Sequence, residues 1–88
     1  MSTSASNIAE HVSATEVRFE GNILYVTLSD SRQISVPLEN VPWLKWLNSA
    51  TPEQRARWSL EPGGLAIYWG ELDDGLEISH LLSMQPLI

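Results

Sequence analysis

The densest group of ionisable side chains in this sequence is the run Glu71-Leu72-Asp73-Asp74-Gly75-Leu76-Glu77. Carboxylates set this close can bind Mg²⁺ or Ca²⁺, or hold a proton between them. A calcium loop alternates its acidic positions and places a Glu at its twelfth. This run does not complete that pattern. No second acidic cluster is present to finish an oxygen shell. The run is read first as a solvated turn, so no metal and no cofactor are expected. A small metal-dependent hydrolase built from Glu71, Asp73, Asp74 and His80 is the alternative.

The other reactive types are sparse. His11 and His80 are the only histidines, and there is no cysteine. Two histidines so far apart make a poor zinc pair without thiolate help. A nucleophilic triad needs a His held by a carboxylate and facing an activated Ser. Ser79 merely precedes His80 in the chain, and no Gly-x-Ser-x-Gly elbow exists. Gly63-Gly64 lacks the remainder of a phosphate loop, and Glu61 beside it repels phosphate. No catalytic residue is assigned. Arg55 and Arg57, two positions apart on a predicted helix, point to different sides and are read as a solvated face.

The aromatic residues carry more weight. Four tryptophans in 88 residues is a high count. Trp and Tyr bury large areas while keeping one polar contact, so they serve both cores and interfaces. Trp43, Trp46, Tyr68 and Trp69 are the interface candidates, and whether Trp43, Trp46 and Trp69 form a contiguous exposed patch is the structural observation that tests them. Core packing is the competing reading for any one of them.

Composition narrows the partners. Hydrophobic residues make up 43% and charged residues 18%, so the surface is poor in charge and has room for an apolar patch. The net charge is −6, with five basic residues. Nucleic-acid affinity depends on Lys and Arg displacing counterions, so DNA, RNA and anionic membranes are not expected partners. A basic protein is easier to accept. The start, Met1 to Asn7, lacks the features of a secretory signal, and no apolar run reaches membrane-spanning length. A cytoplasmic location is the default expectation.

The elements that must position these residues follow from periodicity. Residues 1–14 are small and polar and are expected to form a flexible tail, with residues 15–88 as one domain. Val17 and Phe19 alternate with charged neighbours as a half-buried strand. Gly21-Asn22 is a turn pair. Ile23 to Leu28 is β-branched and aromatic, as a central strand should be. Ser29 to Arg32 is a second turn, and Ile34, Val36 and Leu38 alternate again, with Pro37 marking an edge or an end. These make an antiparallel meander. Trp43, Trp46 and Leu47 then share one helical face, introduced by Pro42. Thr51-Pro52-Glu53-Gln54 is a capping-box signature for a second helix, expected to run to about Trp58. Leu65 to Trp69 is a fourth strand, expected to return to the meander. A final helical turn follows Ser79.

Taken together, the Asp30-x-Arg32 turn, Ile34-Ser-Val-Pro-Leu38, Pro42-Trp-Leu44, Thr51-Pro-Glu-Gln-Arg55, Gly64-Leu-Ala-Ile-Tyr-Trp69, Leu72-Asp73 and Leu81-Leu82 form an ordered set. In that order and spacing the chain resembles the small bacterial family catalogued as domain of unknown function 2442, from Val17 to Leu82. The resemblance implies an α+β fold with a small antiparallel sheet packed on short helices, and it supplies no enzymatic activity. Some relatives add a helix-turn-helix, which is not expected between Leu82 and Ile88. Others are encoded beside a second small protein, in an arrangement like a toxin–antitoxin pair. Ser31 stands where the family's turn commonly has Gly, which implies a different turn. The expected function is a non-catalytic protein-interaction or regulatory module, either self-associating as a homodimer or neutralising a basic partner.

Overall fold

The computed structural model describes residues 12–83. Most of the expected tail, with His11, lies outside them. Val12 and Ala14, at its end, are buried, and Ala14 opens the first strand.

Strands β1 (Ala14–Glu20), β2 (Ile23–Leu28) and β3 (Gln33–Pro37) form the antiparallel meander, in the order β1-β2-β3. Register follows the apolar alternation. Val17 faces Val26, which faces Ile34, and Leu24 faces Val36. A slip of one residue would turn this whole set to solvent. Gly21 takes φ +58° and Ser31 φ +76°, so both hairpin turns need the left-handed region.

Two short 3-10 turns, Leu38–Asn40 and Pro42–Leu44, lead into helix α1 (Lys45–Asn48). Helix α2 (Pro52–Arg55) starts with a complete capping box. The Gln54 N–H donates to Thr51 Oγ1 at 3.1 Å, and the Thr51 N–H donates to Gln54 Oε1 at 3.0 Å. The helix was expected to reach Trp58 but ends at Arg55. Trp58 instead opens strand β4 (Trp58–Leu60), which pairs antiparallel with β5 (Ala66–Trp69). Pairing of its inner edge with β5 satisfies part of this stretch's backbone and decides it against continued helix.

The fourth strand also differs from expectation. It does not return to the meander but becomes the centre of a second sheet, β4-β5-β6, completed by β6 (Asp74–Glu77). Both of its neighbours are reached through short connections, which cost less loop-closure entropy than a return across the molecule. Helix α3 (Ile78–Ser83) follows β6 directly. The architecture is α+β, with two small antiparallel sheets and short helices.

One apolar core joins the two sheets. Leu24, Val26, Leu38, Leu44, Leu47, Ile67, Trp69, Ile78 and Leu81 are its most deeply buried members. Trp69 sits among them with Phe19 and Trp46 edge-on, at centroid distances of 6.3 and 5.8 Å. Such edge-to-face pairs are the favoured aromatic geometry.

Candidate functional site

Trp43, Trp46, Tyr68 and Trp69 are the four interface candidates of the sequence, and the fold separates them. Trp69 is fully buried because β5 is the middle strand of its sheet. Its indole N–H donates to the Arg55 carbonyl at 3.0 Å. Trp46 and Tyr68 are half-buried. Trp43 is 40% exposed. A continuous surface patch of Trp43, Trp46 and Trp69 therefore does not form, since a core position takes the last of them.

Trp43 has a different companion. The 3-10 turn that Pro42 starts holds its indole outward, while Leu44, the next residue, is buried. Helix α3 brings His80 onto it, with ring centroids 4.5 Å apart and planes within 11°. Both residues are exposed. Leu65, 52% exposed, is the other large apolar residue on the described surface. Its carbonyl accepts from the N–H of Ile78 at 2.9 Å, which ties it to the start of the same helix. The result is an aromatic platform on two elements far apart in sequence. Spacing alone could not reveal it, because thirty-seven positions separate the two rings.

The acidic run is dispersed among separate partners. Glu71 pairs with Arg57. Asp73 accepts from the Tyr68 hydroxyl at 2.8 Å, and Asp74 accepts from the Gly75 N–H at 2.8 Å. Among the described residues, no three metal-ligating side chains converge. The Tyr68 phenol is pushed above its ordinary value, first by its hydrogen bond to Asp73 and then by the charge of that carboxylate. A negative neighbour that accepts from the neutral phenol opposes its ionisation.

Arg55 departs most from its sequence reading. It was expected on a solvated face with Arg57, yet it is 8% exposed. Its Nε donates to the Leu47 carbonyl at 3.1 Å and its Nη2 to the Asn48 carbonyl at 2.9 Å, which caps the end of α1. Its Nη1 donates to the Gly21 carbonyl at 3.1 Å and its Nη2 to Asn22 Oδ1 at 3.3 Å, which fastens the β1-β2 turn. The short α2 decides the difference, since it points one arginine inward and leaves the other at the surface. Nothing in Arg55-Ala56-Arg57 marks one arginine from the other.

Comparison with known proteins agrees with this fold. Residues 14–84 match a family described as "Protein of unknown function (DUF2442)". The chain is similar to a protein of unknown function from Rhodospirillum rubrum, with 19% identity, a TM-score of 0.68 and coverage of 82% of this chain and 86% of that one. It is also similar to an uncharacterized protein from Chromobacterium violaceum, with 20% identity, a TM-score of 0.70 and coverage of 93% and 77%. At these identities the likeness concerns the fold. No curated protein matches the chain significantly. No helix among the described residues is long and apolar enough to cross a membrane.

Proposed function

The chain belongs to the DUF2442 family, and from that premise we propose that it is a non-catalytic protein-interaction module whose contact centres on Trp43 and His80. The observation that carries this reading is the stacked, exposed indole–imidazole pair. An exposed Trp held in one orientation has little freedom left to lose on binding, and Trp is a frequent interface anchor. The net charge of −6 supports a basic protein as partner, since two copies of the chain repel one another at long range. A homodimer is the second form of the same reading, and a neutralising role toward a basic protein is its regulatory form. The lack of cysteine fits action in the cytoplasm. Nucleic acid and membrane have no place in the proposal.

The hydrolase reading has less support. Glu71, Asp73 and Asp74 are each committed to a different group, and no three metal-ligating side chains converge among the described residues.

The test uses the purified full chain and its Trp43→Ala variant. Sedimentation measures self-association, and affinity capture from the native cells, with wild type and variant in parallel, measures a partner. The expected result is an association that the substitution weakens by at least about 2 kcal/mol, as removal of an anchor tryptophan does. A wild-type chain that is monomeric and captures nothing, or an association that Trp43→Ala leaves intact, overturns the proposal.

A further inference from the structure

A groove of about 450 Å³ runs beside β1, walled by Val17 and Phe19 of that strand, by Pro52 at the start of α2, and by Trp58 of β4. Its polar side chains are Arg18 and Arg55. The chain carries eleven acidic residues and five basic ones. Two of those five basic residues line this one groove, and no described acidic side chain does. The volume lies within the range of small-molecule sites, and the mix of apolar walls with a few polar groups is what such sites use.

The state of Arg55 makes the groove more than a surface dent. The described salt bridges join Arg18 to Glu20, Arg32 to Asp30, and Arg57 to Glu71. Arg55, the most buried of these cations, pairs with no described carboxylate, and its four acceptors are all neutral. A buried Lys can shed its proton to escape such a situation, but a guanidinium cannot. A buried charge is costly unless an opposite charge is supplied. Nη1 carries two hydrogens, and one described acceptor takes one of them. A donor without a described acceptor, and a positive charge met only by neutral acceptors and by the Phe19 ring 5.4 Å away, are thus present in a residue that lines an apolar groove.

We propose that this groove binds a small carboxylic acid with an apolar body. Its carboxylate would rest against Arg55, with Arg18 at the rim, and its body against Phe19, Pro52 and Trp58. A monoanion fits better than a phosphate dianion, because the ligand must approach a chain of net charge −6. The walls leave room for an aromatic or branched aliphatic body and offer it no further charged partner. This site is separate from the Trp43–His80 platform, and its fate does not depend on that reading.

The test is a two-dimensional NMR titration of the ¹⁵N-labelled full chain with sodium phenylacetate, and in parallel with neutral phenylacetamide. The Arg55 Nε–H and Trp58 Nε1–H signals are expected to shift saturably with the acid. The amide should need a concentration at least about tenfold higher, the factor that one charge-assisted hydrogen bond supplies. Ala56, exposed at the groove, provides a variant that leaves both arginines in place. Ala56→Phe, checked for native circular dichroism, should abolish the response. Equal response to acid and amide, a response that survives Ala56→Phe, or no shift at these two signals overturns the proposal.

Discussion

Arg55 and Tyr68 show how strongly environment separates side chains of ordinary type. A guanidinium that reaches carbonyls on α1 and on the β1-β2 turn acts as a rivet between segments, and its planar fork suits several acceptors at once. A lysine offers no such geometry. Tyr68 is modified chiefly by Asp73, which itself sits in the left-handed region at φ +53°. The phenol is expected to titrate above its ordinary value of 10.0. Asp73→Asn keeps a residue that tolerates the left-handed backbone and removes the charge, so it should bring the titration back toward 10.0. Ultraviolet absorbance of the phenolate measures this, in a Tyr25→Phe background that leaves one tyrosine. An unchanged titration in Asp73→Asn would remove Asp73 as the cause. A raised folded value favours the neutral phenol, so its contribution is whole below pH 10.0 and is lost as pH rises through the folded value.

At the scale of the element, turns and caps carry the most readable information. Thr51 and Gln54 announce α2 from sequence alone, and both reciprocal bonds are present. The end of α2 is not announced, because Ala56 and Arg57 suit a helix as well as a loop. The β2-β3 turn has a readable flaw. Ser31 occupies φ +76°, and a Cβ there carries steric strain. Ser31→Gly relieves that strain and adds some freedom to the unfolded chain. The expected balance is a gain of about 0.5–1 kcal/mol, measured by urea denaturation. A loss of stability would mean that the Ser31 side chain contributes more than its backbone costs. Gly64 shows the opposite case, where a Cβ is not tolerated. An added Cβ would lie 2.6 Å from the Ala14 carbonyl at φ +67°, where the β4-β5 connection passes the start of β1.

For the whole molecule, the decisive fact is that two sheets share one core. Buried residues of both sheets belong to one cluster, completed by the short helices, and Trp69 from one sheet packs on Phe19 from the other. Loss of either sheet would expose the apolar face of its partner, so the two are expected to unfold together. All four tryptophans lie outside the first sheet. Tryptophan fluorescence therefore follows the chain from Trp43 to Trp69, while far-ultraviolet circular dichroism follows both sheets. The two probes should give coincident urea transitions with a single midpoint. Separated midpoints would show that the sheets are independently stable. The acidic balance acts at this same scale, because it is a property of the summed charge and sets which partners approach.

By itself the sequence determined the α+β class, the three strands of the meander, the turn at Gly21, the capped start of α2 and the family. Each of these rests on neighbours a few positions apart, where alternation, capping and turn chemistry act directly. Only the tertiary structure decided that β5 centres a second sheet, that Trp69 belongs to the core, that Arg55 turns inward, and that Trp43 meets His80. Those outcomes depend on which distant segments close around the same apolar residues. Competition for one small core is settled by the packing of the whole chain, and local spacing carries no record of it.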